Sequence, residues 1–479
     1  MTIYDYRNQN TKDDEYEVKD RKLKNKANQK NLHKHKNKRA GFEQLLNDCM
    51  TIYDYQEEFK DLSQKKNKIK SLSKILESIA ESDRKFVDTV FRPCIDKVME
   101  MIEANLFRPL PKLKQADLDA MEGGEQNEEN KDRAWPTLIY VYEIFLHTIK
   151  HPAINENILK HFITESYIQN LLDLFETSNN DERDYLKQAV HKLYAKVIKR
   201  RKLFRKMFNN HFLSIVYEKP NSVGASEILD IYSSIISGFA VPLRPEHVDF
   251  FKTFLTPLLK VQTCHTFYEE LLRCLLIFLN KDKSLTKHLV MALLDFWPYG
   301  NTTKEVGFIV SLYESLDFIS DIEEFETYMV PLFKRIAKCL DSEHVQIIDR
   351  SMTFFEKENL LQLVKTNSES IYPLIVPVIE RQLKEHWHNV LKKNFKDLKL
   401  ILVELDELTY NSASKEYLVQ QEAKITKRKT LDDKWKLLDA KIKDNSPDYT
   451  SPWLPFKSDA LVSDFNQLYF SVSSKDQLM

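Results

Sequence analysis

Lys187, His191, Tyr194, Ile198 and Arg201 stand at steps of 4, 3, 4 and 3 in the segment DERDYLKQAVHKLYAKVIKRR (181–201). On an α-helix that spacing gathers all five on one face, with donors set around an aromatic ring and an aliphatic step. Leu186, Val190, Leu193 and Val197 supply the opposite, apolar face. A second segment, ASEILDIYSSIISGFAVPLRPEH (225–247), also reads as an amphipathic helix carrying polar groups that packing alone does not need. A donor-rich face of this kind suits an extended peptide with acidic and apolar side chains. Taken alone, the same pattern also describes an ordinary solvated helix face, and on spacing alone that is the better reading.

The elements that must position these residues are helical. The 479 residues contain only 7 Gly and 16 Pro, against Gly-rich phosphate loops and turn-rich β architectures. Long runs of Leu, Ile, Phe, Lys and Glu repeat with helical period, which predicts an all-α chain. Breaks at His151-Pro152, Asn179-Asn180, Lys219-Pro220, Val241-Pro242, Trp297-Pro298 and Ser342 divide it into helix pairs of about 40 residues, the period of HEAT or armadillo arrays. The first helices are expected near Gly41, with FVDTVFRPCIDKVMEMIEANLF (86–107) as a further helical run.

Four segments follow: a basic N-terminal stretch (1–39) expected to be disordered, a HEAT-like repeat domain (40–411), a charged helical extension (412–445) and a Pro- and Ser-bearing tail (446–479), also expected to be disordered. From Lys19 to Arg39 ten Lys or Arg face one acid, Asp20, a composition that cannot bury a core. Residues 116–133 read as an acidic exposed loop. KITKRK (424–429) adds a second basic cluster, and Ser451-Pro452 is a possible phosphosite. MTIYDY occurs at 1–6 and again at 50–55, a repetition that a helical repeat does not produce.

Composition narrows the function. Net charge is −1, so overall charge makes no case for nucleic acid. Cys49, Cys94, Cys264, Cys274 and Cys339 are odd in number and form no CxxC pair, which reads as a reduced intracellular chain. The longest apolar candidate, Leu271–Leu279, is short and contains Arg273, so no membrane span is expected. No phosphate loop, dinucleotide fingerprint, zincin, nucleophile elbow or kinase signature occurs. His386 and His388, if on one helix, point about 200° apart and do not share a metal. A non-enzyme without metal or cofactor is the reading. LESIAE (76–81) sits in an amphipathic helix where Leu76 and Ile79 should face the core.

AWPTLIYVYEIFL (134–146), DERDYLKQAVHKLYAKV (181–197), EILDIYSSIISGFAVPL (227–243), LVMALLDFWPYGNTTKEV (289–306), MVPLFKRIAKCLDSEHVQI (329–347) and EHWHNVLKKNF (385–395) resemble, in order, successive blocks of the B′ family of protein phosphatase 2A regulatory subunits. The resemblance runs from about Arg39 to Lys443. It implies a curved solenoid of HEAT-like helix pairs with no activity of its own, docking on a scaffold (A) and a catalytic (C) subunit. It also implies substrate selection through a concave groove that binds LxxIxE-type motifs. By motif the groove positions are Lys187, His191, Lys192, Tyr194 and Arg201, then Glu227, Asp230, Ile231 and Ile235, then Arg244 and His247. Ile231, Ile235, His191 and Tyr194 would hold the ligand's Ile. Arg201 and neighbouring basic groups would hold its Glu, and Lys192, Arg244 and His247 would add positive charge. Lys192 stands where the family usually has Arg, and Arg244 where it has Lys; the fork of Arg and the point charge of Lys differ in phosphate preference. The runner-up reading is an adaptor that kept the groove and left the phosphatase. An armadillo-type transport receptor ranks lower, because the five Trp do not recur with the period. Location reads as cytoplasmic with nuclear entry allowed by the basic clusters.

Overall fold

The computed structural model describes residues 36–55, 60–110, 132–219 and 222–445. The basic segment before residue 36, most of the acidic loop, the first MTIYDY copy and the tail with Ser451 lie outside them. Among the described residues every element is helical. No described helix is long and apolar enough to cross a membrane. The chain divides into two compact units, Met1–Leu360 and Leu361–Met479.

In the first unit the helices stack in two layers. Trp135–Lys150, Asn180–Lys196, Ala225–Ser237, Tyr268–Lys281 and Thr302–Ser315 pack each on the next. Glu165–Asp173 packs on Arg201–Tyr217, and Thr286–Asp295 on Ile322–Leu340, in the other layer. The repeat register shows in the side chains. Tyr185 donates to Glu143, Arg183 to Glu227, Arg273 to Asp230, Lys304 to Val261 and Lys357 to Tyr313, over separations of 42 to 44 residues. The period inferred from breaks in the sequence is thus also the period of the contacts.

Helix starts follow local chemistry. Asn155, Thr164, Asn179, Asn301 and Asp321 each accept a backbone N–H with the side chain, occupying donors that a helix N-terminus leaves unpaired. Gly224 precedes Ala225–Ser237 because a Cβ there would collide with Phe175. The first described helix covers 36–48, five residues ahead of the expected start at Gly41. The run 86–107 is not one α-helix: a π turn, Val87–Phe91, and a 3₁₀ turn, Arg92–Cys94, precede Ile95–Leu106. Pro93 lacks an N–H, so the hydrogen-bond register shifts around it. Phe251–Leu255 and Thr256–Lys260 use the same device around Pro257.

In the second unit Ser368–Glu385, Asn389–Leu405 and Glu407–Asn445 pack mutually. Tyr372 donates to the Leu402 carbonyl at 2.8 Å, and Tyr410 and Lys399 both donate to Glu380, at 3.0 and 2.8 Å. His386 and His388 do not lie within a helix. They bracket the turn between two helices, where His386 Nδ1 accepts the His388 N–H at 2.9 Å and His388 caps the next helix.

Candidate functional site

The Asn180–Lys196 helix has an inner side and an open side. Leu186, Val190, Leu193 and Val197 are at most 1% exposed, which fixes the apolar face where the spacing put it. The face of five, however, does not lie on one helix. The α-helix ends at Lys196, Ile198–Arg200 is a 3₁₀ turn, and Arg201 opens the next helix. Arg201 makes the break possible: its guanidinium donates to the Tyr194 and Ala195 carbonyls, at 3.0 and 3.1 Å, and lies 5.3 Å from the centre of the Tyr194 ring. It thereby satisfies carbonyls that the helix end orphans. Ile198 is left 60% exposed. The second segment is likewise two helices, Ala225–Ser237 and Pro245–Phe250, separated at Gly238 and the AVPL turn.

Two groups assemble along the open side. At one end Lys187 lies 3.3 Å from Asp184 and 3.4 Å from Asp230, and Asp230 lies 3.1 Å from Arg273. Partial burial opposes the Lys187 charge, but Asp184 and Asp230 more than offset it and raise its pKa. Lys187, Asp230 and Arg273 come from three successive repeats and form an alternating row. At the other end Arg205 donates to the Tyr194 hydroxyl at 3.3 Å. Glu246 stands 3.9 Å from Arg205, 4.0 Å from Arg244 and 3.5 Å from His247. Between the two ends His191 and Lys192 are exposed. Ile231 and Ile235 are 2% and 5% exposed.

Two expected contributions change. Glu227 is engaged by Arg183 at 2.7 Å, which ties it to the inner side. His247 stacks on Phe239 with centroids 3.8 Å apart; burial lowers its pKa, so it carries no standing charge at neutral pH. It offers a ring and a neutral imidazole instead of the positive charge expected of it. Sequence spacing alone does not single out Arg205, Arg273 or Glu246. Arg205 is within its reach, as the i+4 neighbour of Arg201. Arg273 is found only through the repeat register, 43 residues after Asp230.

What the arrangement can do is bind. Beyond the row of Lys187, Asp230 and Arg273, the open side carries Lys192, Arg201, Arg205 and Arg244, with Glu246 near Arg205 and Arg244. At the other end the charges alternate. An extended chain with an acid placed past an apolar side chain fits that polarity.

Residues 27–442 match the family described as protein phosphatase 2A regulatory B subunit, B56 family. The 56 kDa regulatory subunit alpha isoform of serine/threonine-protein phosphatase 2A from Mus musculus is 32% identical over 398 residues, covering 83% of this chain and 80% of that one. The phosphatase 2A regulatory subunit pptr-1 of Caenorhabditis elegans is 32% identical, covering 82% and 71%. The 56 kDa regulatory subunit delta isoform from Homo sapiens is 31% identical over 417 residues, covering 86% and 68%.

Proposed function

The chain belongs to the B56 family of protein phosphatase 2A regulatory subunits, and we propose on that premise that it selects substrates for a heterotrimer with a scaffold (A) and a catalytic (C) subunit. It is a regulatory subunit and not itself the catalyst. In this reading the open side of Asn180–Lys196 and its neighbours is a groove for LxxIxE-type peptides. Ile231 and Ile235, nearly covered, form a floor that a ligand's isoleucine touches. Arg201, Arg205 and Arg244 receive the ligand's acid, with His191 and Tyr194 between. Asp230 holds Lys187 and Arg273 in place at the far end. The HEAT-like repeat type and residence in cytoplasm and nucleus belong to the same proposal.

The observation that supports it most is the loose setting of Glu246. Its carboxylate lies 3.5 to 4.0 Å from three basic side chains, all longer than a charge-assisted hydrogen bond. The two arginines among them, Arg205 and Arg244, keep capacity for a second carboxylate.

The test has two parts. The intact chain, recovered from its own cell extract, is expected to carry Ser/Thr phosphatase activity that persists with excess LxxIxE peptide while other bound proteins leave. Peptide-displaceable partners without phosphatase activity would instead mark an adaptor outside the holoenzyme. His191→Ala and Arg201→Ala are each expected to weaken peptide binding by at least about 1.5 kcal/mol. Unchanged affinity in both would remove the groove assignment.

A further inference from the structure

Thr430 differs from every other Ser and Thr of the chain in what precedes it. Lys427, Arg428 and Lys429 stand immediately before it, and no other hydroxyl residue follows three consecutive cations. Leu431, 47% exposed, comes next, and then Asp432 and Asp433. Thr430 lies on the Glu407–Asn445 helix, past the part that packs. That helix rests on Ser368–Glu385 and Asn389–Leu405, and its Tyr410 and Ala413 are 1% and 6% exposed. From Glu422 to Thr430, by contrast, every residue is exposed. Thr426 and Thr430 turn their hydroxyls back on the carbonyls of Glu422 and Thr426, at 2.9 Å each. Such back-bonding slightly weakens a helix, and Ile425, Thr426 and Thr430 are β-branched, poorer helix formers. A helix without tertiary packing gains little from propensity alone, so the turns around Thr430 open locally at small cost.

We propose that Thr430 is a phosphorylation site for a Ser/Thr protein kinase that selects basic residues before its acceptor. In the opened, extended segment Lys427 and Arg428 pair with carboxylates lining the kinase cleft, and Leu431 enters an apolar pocket. The Thr430 hydroxyl, released from the Thr426 carbonyl, attacks the γ-phosphorus of MgATP. Its proton passes to the kinase's catalytic aspartate, the bond from the γ-phosphorus to the β–γ bridging oxygen breaks, and ADP leaves. A kinase that selects acids after its acceptor would meet Asp433, but its basic cleft is repelled by the three cations before Thr430. The phosphate brings about −1.5 to −2 charges to a stretch that carries four cations, Lys424, Lys427, Arg428 and Lys429. On the re-formed helix Lys427 and Lys434, three residues before and four after Thr430, are its neighbours. Phosphorylation thus turns the basic stretch of the second unit toward neutrality. The site needs nothing from the peptide groove, which belongs to the first unit.

The full chain, incubated with its own cell extract, MgATP and a Ser/Thr phosphatase inhibitor, tests this by mass spectrometry of its peptides. Phosphate is expected on Thr430, kept in Thr430→Ser and lost from that position in Thr430→Ala. Arg428→Ala is expected to slow incorporation about tenfold, the worth of one charge-assisted pair, and Asp433→Asn to leave it unchanged. No phosphate on Thr430 overturns the proposal. So does incorporation that Asp433→Asn abolishes and Arg428→Ala spares, which would assign the site to an acid-selecting kinase.

Discussion

Two sides of one helix, Asn180–Lys196, treat charge in opposite ways. On the inner side Glu182 is fully buried and fully used. Arg108 grips it at 2.8 and 2.9 Å, and the Tyr142 and Thr177 hydroxyls donate to it at 2.8 Å each. Arg108 also holds Asp132 at 2.7 Å, so the cluster clasps both ends of the segment between them. Burial opposes the Arg108 charge, and Glu182 and Asp132 more than offset it, raising its pKa. On the open side the ion pairs run from 3.1 to 4.0 Å, and most partners are a quarter exposed or more. Saturated, short and buried polar groups hold the fold. Loose, part-exposed ones remain available to a ligand.

The largest expected effect breaks the inner side. Glu182→Ala strands the Arg108 guanidinium with one carboxylate and leaves two buried hydroxyls without an acceptor. Stability of the first unit should fall by about 3–5 kcal/mol, read by denaturant unfolding. A loss below about 1 kcal/mol would erase the distinction between the two sides.

The second prediction uses acid. His211 faces inward from the Arg201–Tyr217 helix, and burial lowers its pKa to about 4 from 6.5. The unfolded chain takes up this proton as pH falls through about 6.5, and the folded chain takes it up only near 4. The stability contributed by neutral His211 is therefore complete above pH 6.5 and is lost as pH falls toward 4. The loss should be roughly 3 kcal/mol, and His211→Phe should flatten that part of the profile. His151, His247 and His288 are also lowered by burial and add in the same direction.

Third, Arg205→Ala should weaken LxxIxE peptide binding by about 1.5–3 kcal/mol while moving the unfolding midpoint little, because its side chain is 25% exposed and its ion pair is long. Calorimetry on the intact chain reads the first quantity, and thermal unfolding the second. If the midpoint falls as far as the affinity does, Arg205 belongs with the inner side.

The contrast also explains what could be read from the residues alone. The apolar positions Leu186, Val190, Leu193 and Val197 announce the buried face, and Gly238, Pro242 and Pro245 announce the split of 225–247, because periodicity and turn chemistry are local. The break at Val197 is silent in AKVIKRR, which has neither Gly nor Pro. It is set by Arg201 reaching back to carbonyls six and seven residues earlier. Glu182 and Arg183 read as solvated charges in DERDYLK, and only partners 40 and 44 residues away, Tyr142 and Glu227, make them structural. The candidate groove was legible mainly through blocks that resemble a family. Its row of Lys187, Asp230 and Arg273 required the repeat register.

The smallest expected effect separates the two sides most cleanly. Asp230→Ala removes the shared acid between Lys187 and Arg273. Its side chain is 38% exposed, and those two cations are 32% and 53% exposed, so water replaces much of what is lost. Stability should change by less than about 1 kcal/mol. The remaining difference should vanish in about 1 M salt, where the screening length shrinks to about 3 Å. The Glu182→Ala deficit should persist in the same salt, since a buried ion cluster is screened far less. Unfolding of both variants at low and high salt would therefore rank the two clusters by salt response alone. A salt-insensitive loss at Asp230 would mean that the row of three is a structural tie between repeats, and that the ligand-binding face begins only at His191.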